Sequence, residues 1–326
     1  GGDDAADGVV DGIIGARNVI SGNNAYGIRT NGGSGHVIQG NIVGLGAKGD
    51  DPLPNSSGGV FLFSSGLTLG GASAGAGNII SGNISYGIYT WGPNTTGNAI
   101  QGNIIGLDAS QASAIGNGNA SSGGILLSSV SDNLIGGTVA GAGNVISGHL
   151  GAGVMVGGAT AAGNTILANE IYNNGTLGID LTSDGVTTND ADDVDAGPND
   201  LQNYPVISQA DLNGTNLTVS GTLDTDGLNT QYRIEFYGNA AGTEDAANGE
   251  GHSYLGSTTV TTDGSGDATF TNITLSGVTL VAGDYVTATA TEIEDSGQVG
   301  TDDLLAYGST SEFATNVEIT ANASPV

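Results

Sequence analysis

The sequence predicts an all-β protein in two parts, an array of short stacked strands followed by a sandwich of longer ones. Two observations carry this. Short Val/Ile-rich runs bounded by Gly and Asn return at fixed offsets through the first part, and alternating Thr-rich runs fill the second. With 326 residues the chain is long enough for two separate cores.

The array is read from its self-similarity. Asn18-Val19-Ile20-Ser21-Gly22-Asn23 returns as Asn78-Ile79-Ile80-Ser81-Gly82-Asn83 and as Asn144-Val145-Ile146-Ser147-Gly148-His149, at offsets of 60 and 66 residues. A second series runs Val37-Ile38-Gln39-Gly40-Asn41, Ala99-Ile100-Gln101-Gly102-Asn103 and Thr165-Ile166-Leu167-Ala168-Asn169. Two further pairs are Gly58-Gly59-Val60-Phe61-Leu62 with Gly123-Gly124-Ile125-Leu126-Leu127, and Leu69-Gly70-Gly71 with Ile135-Gly136-Gly137. Three apolar segments per long repeat predict a unit of about 20–22 residues, too short to bury its own apolar face without stacked neighbours. Asn at the corners tolerates left-handed backbone and its amide can bond up and down a ladder, while Gly supplies positive φ. With Val/Ile-rich segments and no helical return, the pattern over residues 8–182 resembles the right-handed parallel β-helix repeat family found in bacterial surface and secreted adhesin-like proteins. That resemblance implies a β-helix over residues 1–182.

An Asp-rich junction is expected at 183–204, then an immunoglobulin-like β-sandwich at 205–320 and a linker or tail at 321–326. About seven alternating runs support the sandwich, among them Leu217-Thr218-Val219, Tyr232-Arg233-Ile234-Glu235-Phe236-Tyr237 and Tyr285-Val286-Thr287-Ala288-Thr289-Ala290, with Asp263-Gly264-Ser265-Gly266 as a turn. The N-terminus, Gly1-Gly2-Asp3-Asp4, begins in mid-pattern and reads as an uncapped coil.

Charge narrows the partners. Four Lys and Arg stand against 33 Asp and Glu, a formal net charge of −29, and no Lys or Arg lies between Lys48 and Arg233. Such a surface repels nucleic acid, which is bound through cations at phosphates, and anionic membranes. No apolar run reaches the ~18 residues of a membrane span. The absence of cysteine removes disulfides and thiolate zinc sites. What the surface attracts is a hard divalent cation with oxygen ligands.

The sharpest candidate for that cation is the run of seven aspartates Asp180, Asp184, Asp190, Asp192, Asp193, Asp195 and Asp200. Their mutual repulsion would be relieved by bound Ca2+, which would stiffen the joint between the two parts. The spacing is not that of an EF-hand, which needs a glycine and a terminal Glu in frame; the bland alternative is a solvated acidic loop. A weaker cluster is Glu292, Glu294, Asp295, Asp302 and Asp303.

No catalytic constellation stands out. The helix holds three cations, Arg17, Arg29 and Lys48, too few for an Arg-based lyase site. Its carboxylates between Asp51 and Asp180 are Asp108, Asp132 and Glu170, with no pairing of the kind glycoside hydrolysis needs. His149 stands in the slot of Asn23 and Asn83, and His36 in that of Asn98 and Asn164, so both read as ladder substitutes; His252 falls in a Gly-rich loop. Tyr26, Tyr86, Tyr89 and Trp91 are a modest aromatic set, read first as a structural stack and second as a sugar platform. The expected function is therefore an extracellular or cell-surface structural and adhesive module, a stiff non-enzymatic rod rigidified by calcium. Its partners would be neighbouring domains or further copies of itself, assembling head-to-tail into filaments. The alternative is a polysaccharide-binding or polysaccharide-degrading β-helix.

Overall fold

The computed structural model describes residues 17–119, 121–243 and 248–321. The expected helix before residue 17, the N-terminal coil end included, and the expected tail after residue 321 lie outside them. The first part is a parallel β-helix whose turns each cross three sheets. One sheet stacks Asn18–Ile20, Asn41–Val43, Ile79–Ile80, Ile104–Ile105, Val145–Ser147 and Glu170–Tyr172; the next stacks Tyr26–Arg29, Gly58–Leu62, Ile88–Trp91, Ile125–Ser128, Val154–Gly157 and Ile179–Leu181; the third stacks Val37–Ile38, Thr68–Gly70, Ala99–Gln101, Leu134–Gly136 and Thr165–Leu167. Strand pairing within each of the three is parallel. Inward-facing residues of successive turns form columns such as Ile88, Ile125, Val154 and Ile179 in the second sheet, and these make one continuous apolar core.

The expected unit of 20–22 residues is corrected. In the first sheet Asn18 pairs with Asn41, Ile42 with Ile79, Ile79 with Ile104, Ile104 with Val145 and Val145 with Glu170, so turns advance by 23, 37, 25, 41 and 25 residues. The 60- and 66-residue repeats are thus two turns, one short and one long. The long turns carry hairpin insertions after Val43 and Ile105, closed by bridges Leu45–Pro52 and Leu107–Ala114. The two hairpins stack outside the helix, where Ala109 N–H donates to Gly49 O at 2.9 Å and Leu45, Ile79 and Ala109 share a small apolar cluster.

Equal register merges the two Asn series seen in the sequence into one ladder, Asn18–Asn41–Asn78–Asn103–Asn144–Asn169. Each Nδ2 donates to the next Oδ1 at 2.9–3.0 Å. The second Nδ2 proton goes inward to a backbone carbonyl, as Asn103 to Leu69 O and Asn144 to Ile100 O. From Asn78 upward each Oδ1 also takes the backbone N–H of the residue below, as Asn144 Oδ1 takes that of Asn103. An amide alone supplies two donors and a two-lone-pair acceptor on so short a stem; Asp lacks the donors and Ser the reach. Buried polar groups are thereby fully paired at a corner that apolar residues could not turn. A second ladder runs Asn23–Asn55–Asn83–Asn117–His149–Asn174 and a third Asn98–Asn133–Asn164–Asn199. Glycine closes the corner opposite: Gly106 has φ +93°, and a Cβ there would lie 2.0 Å from Ser147 O.

The second part is a two-sheet sandwich. Val206–Asn213, Asn216–Asp224 and Asp267–Ser276 form one antiparallel layer, to which Thr320–Ala321 adds in parallel; Ser253–Thr261, Gln231–Asn239, Tyr285–Ile293 and Tyr307–Thr310 form the other. Between them lie Leu217, Val219, Tyr232, Ile234, Phe236, Phe270 and Val286, all buried.

The sandwich is also the lid of the helix. Tyr237 and Phe313, from the sandwich, belong to the same buried cluster as Ile171, Ile179 and Leu181 of the last turn. The exposed strand edge of that turn is paired: Ile171 N–H donates to Gly251 O at 2.8 Å and Ile166 N–H to Thr310 Oγ1 at 2.9 Å. Carboxylates finish the rest. Glu235 Oε2 accepts from Ala168 N–H at 2.8 Å, Glu312 Oε1 from Leu181 N–H at 2.8 Å, and Asp303 Oδ1 from Thr138 Oγ1 at 2.7 Å. Glu235 is held by Arg233 at 2.9 Å and by Tyr237 Oη at 2.6 Å. Unpaired strand edges invite a further strand, and here the sandwich occupies that position.

Candidate metal centre at the junction

The chain between Leu181 and Val206 has two short 3-10 turns, Ala191–Asp193 and Pro198–Leu201. Asp192 and Asp193 both adopt positive φ, +61° and +49°, a conformation that short Asx side chains accept more readily than most. This tight winding brings half-buried Asp190, buried Asp193 and exposed Asp195 together until one carboxylate oxygen of each lies within 4.8 Å of the others. Among the described residues it is the one place where three such ligands converge.

The centre is partly enclosed. Asp193 is 6 % exposed and its oxygens accept from Gln202 Nε2 at 3.1 Å and Asn203 N–H at 3.0 Å. Burial pushes its carboxyl up to about 8, helped by the charges of Asp226, Asp195 and Asp190 and opposed by the Asn203 bond. Asp195 is also raised, by burial and then by Asp190. Asn203 ties the loop together: its Nδ2 reaches Asp190 O and Asp224 O, and its Oδ1 takes Asp190 N–H. Asp190 Oδ1 and Asp224 Oδ1 are buried with no hydrogen-bond partner. A buried carboxylate oxygen without a donor is costly unless something positive faces it. Converging oxygens with no His or Cys among them suit a hard ion such as Ca2+, which takes six to eight oxygens at ~2.3–2.6 Å.

Not all seven expected aspartates meet there. Asp192 is exposed, and its backbone N–H points to Asp224 Oδ2 at 3.4 Å. Asp200 accepts from Ser309 Oγ at 2.8 Å and so pins the junction to the sandwich. Asp180 and Asp184 lie on the far side of the last turn: Asp180, 5 % exposed, accepts from Ser183 N–H at 3.0 Å, and Asp184 accepts from Thr182 Oγ1. The weaker cluster also disperses, since Asp303 turns to Thr138 and Asp302 caps the four-residue helix Asp303–Ala306. Sequence reasoning missed Asp224 and Asp226. Their signal was a turn signature, Asp224-Thr225-Asp226-Gly227, closing a sandwich strand about thirty residues downstream.

Of the three histidines His149 takes the expected place in a ladder, while His36 is exposed and joins none and His252 is half-buried, not an exposed loop residue. His149 is buried in the second ladder, where Nδ1 accepts from Asn117 N–H at 3.0 Å, and burial lowers its pKa to about 4. His36 shares a column with Leu67 and Asn98 and bonds to Gly32 O at 3.1 Å. His252 stacks on Tyr172 at 4.0 Å, at the seam between helix and sandwich. Tyr26, Phe61, Tyr89 and Tyr86 form a run of ring contacts with centroids 5.0–5.8 Å apart on the outer face of the second sheet. No protein-family model matches the sequence. Among the described residues no helix is long and apolar enough to cross a membrane.

Proposed function

We propose that this chain is an extracellular or cell-surface structural and adhesive module, a stiff rod akin to the right-handed β-helix repeat proteins of bacterial surfaces, whose junction is rigidified by Ca2+. The observation that carries the reading is continuity. Three hydrogen-bonded ladders rise through the helix, and the sandwich shares its core and closes its last turn. Nothing in such an arrangement hinges, which suits a spacer that transmits force or holds a ligand away from a surface. The ion would sit among Asp190, Asp193 and Asp195, with Asp224 close by, and would neutralise the joint where the chain leaves the last turn. Head-to-tail stacking of coils is less favoured at the sandwich end, because a second helix would have to displace the pairing made by Gly251 and Thr310.

The test is thermal unfolding of the whole chain in chelator and in millimolar calcium, beside small-angle scattering of the same samples. A calcium-dependent rise in Tm of several degrees, with an elongated rigid particle in both, is expected. Calcium-independent melting would remove the metal from the reading, and a compact or flexibly jointed particle would remove the rod.

A further inference from the structure

The outer face of the second sheet carries a cleft that the rod function does not use. Two outward columns define it. One runs Tyr89, Leu126, Met155, Asp180 and the other Trp91, Ser128, Gly157, each a set of directly paired residues on successive strands. Over the last three strands these columns form the floor of a trough of about 680 Å3, walled at one end by Tyr86 and at the other by the Asp180–Gly185 loop. That volume lies within the ~300–1,000 Å3 of small-ligand clefts, but the lining is more polar than most, with Ser, Thr and Asp side chains around a small apolar floor. Leu126 and Met155 supply the apolar surface. Tyr86 is held in place by its hydroxyl, which donates to Ser121 O at 3.0 Å. Hydroxyls come from Ser128 and its neighbours, and the lining's charged side chains are the carboxylates of Asp180 and Asp184.

Charge selects among ligands. The lining holds two carboxylates and no cation, within a chain of net charge −29, so phosphorylated compounds and uronic-acid polymers are repelled. A carboxylate offers about four lone-pair sites. Asp180, 5 % exposed, is already met by the backbone N–H groups of Ser183, Gly185 and Asp184, whereas Asp184 is exposed and accepts from Thr182 Oγ1, so acceptor capacity toward a ligand lies chiefly on Asp184. A ligand that presents C–H faces to an apolar floor and several O–H groups to a carboxylate and hydroxyls, while carrying no negative charge, is a neutral saccharide. Beyond Tyr86 the aromatic run Tyr89, Phe61, Tyr26 continues the same face as far as Arg29, whose guanidinium lies over the Phe61 ring at 5.3 Å. We propose that this trough, from Tyr86 to Asp184, is a binding site for a neutral oligosaccharide, with the exposed Asp184 carboxylate and the hydroxyls of the lining bonding to sugar hydroxyls. It stands apart from the junction metal, and it gives the rod a surface with which to hold a glycan.

Titration calorimetry on the whole chain tests it with β-1,4-linked hexasaccharides of glucose, mannose and xylose, with maltohexaose, and with hexagalacturonate as the charged control. At least one neutral hexasaccharide is expected to bind with Kd at or below about 1 mM, and hexagalacturonate not at all. A Cβ built on Gly157, in the floor of the trough, meets no atom within 4 Å, so Gly157→Trp places an indole there without a backbone clash at its Cβ. It should weaken binding by at least about tenfold at unchanged Tm. Asp184→Ala, at an exposed position, should weaken it in the same direction. Failure of every neutral hexasaccharide to bind overturns the proposal, as does binding that neither variant weakens or that hexagalacturonate matches. Because calcium stabilisation is read separately, the rod reading can survive that result.

Discussion

Asn174 Nδ2 donates to Glu250 Oε1 at 2.7 Å, and its backbone N–H reaches the same carboxylate at 3.0 Å from Oε2. This contact is where the second ladder leaves the helix and is taken over by the sandwich. A ladder of amides has a direction: every Oδ1 receives from the turn before it, so the last amide is left with protons to place. A carboxylate, all acceptor, is the group that ends such a series, and Glu250 is 3 % exposed at that point.

Glu250→Ala should therefore cost about 2–4 kcal/mol, because it strands two buried donors. The loss should fall on the coupling between the parts, so that denaturant unfolding of the variant separates into a sandwich transition and a helix transition. Glu250→Gln retains one acceptor oxygen and should cost less. A single cooperative transition at unchanged midpoint in Glu250→Ala would contradict the capping role.

Position along the ladder should set the cost of losing a rung. Asn103 is 1 % exposed and bonded above, below and inward, whereas Asn23 is exposed and bonded to Asn55. Asn103→Ala is expected to destabilise by about 2–4 kcal/mol and Asn23→Ala by under about 1 kcal/mol. Chemical denaturation of both variants measures the difference, and Asn103→Asp should be no better than Ala because it removes the donors.

The junction should respond to pH with a definite sign. Asp193 is pushed up to about 8 and Glu312 to about 7, both chiefly by burial. Carboxyls raised on folding favour the protonated form, so the folded state binds more protons than the unfolded one. Their contribution is full at acid pH, below the ordinary carboxylate pKa, and is lost as pH rises through about 7–8. Calcium-free Tm should thus fall between pH ~5 and ~8, and calcium should restore most of it at the upper end. Asp193→Asn imitates the protonated form; it should flatten part of that fall and abolish the calcium response together.

His149 should act in the opposite direction. Burial lowers its pKa to about 4, so the unfolded chain takes up the proton first. Stability is complete above the ordinary imidazole value and is lost as pH falls toward 4. His149→Asn restores the residue found at Asn83 and Asn23 in the same slot and should make acid unfolding set in at lower pH, with little change at pH 7. Circular dichroism along an acid titration of the two proteins reads this directly.

Much of the helix was legible because its determinants are short-range. A strand column needs Val or Ile every turn and a corner needs Gly beside Asn, so Ile79, Ile146, Asn78 and Asn144 announce themselves wherever the neighbouring turn lies. The length of a turn was not legible in the same way. The hairpins after Val43 and Ile105 carry apolar residues such as Leu45 and Ala109 that pack together outside the coil, so counting segments gave too short a unit. At the junction, acidity pointed to the right stretch but could not divide it, because Asp180 and Asp193 look alike in sequence and face different surroundings.

By itself, then, the sequence determined the all-β class, the parallel stacking, the first Asn ladder's residues and the sandwich that follows them, since each rests on side-chain chemistry repeated at regular intervals. Only the tertiary structure decided that two Asn series are one ladder, that Glu235, Glu250 and Glu312 close the last turn, and that Asp190, Asp193 and Asp195 meet while Asp180 turns to a cleft. The physical reason is distance along the chain. Asn174 and Glu250 are 76 residues apart and Leu181 and Glu312 are 131 apart. No local propensity encodes such a pairing; it exists only once the helix and the sandwich have packed together and left particular buried donors in need of an acceptor.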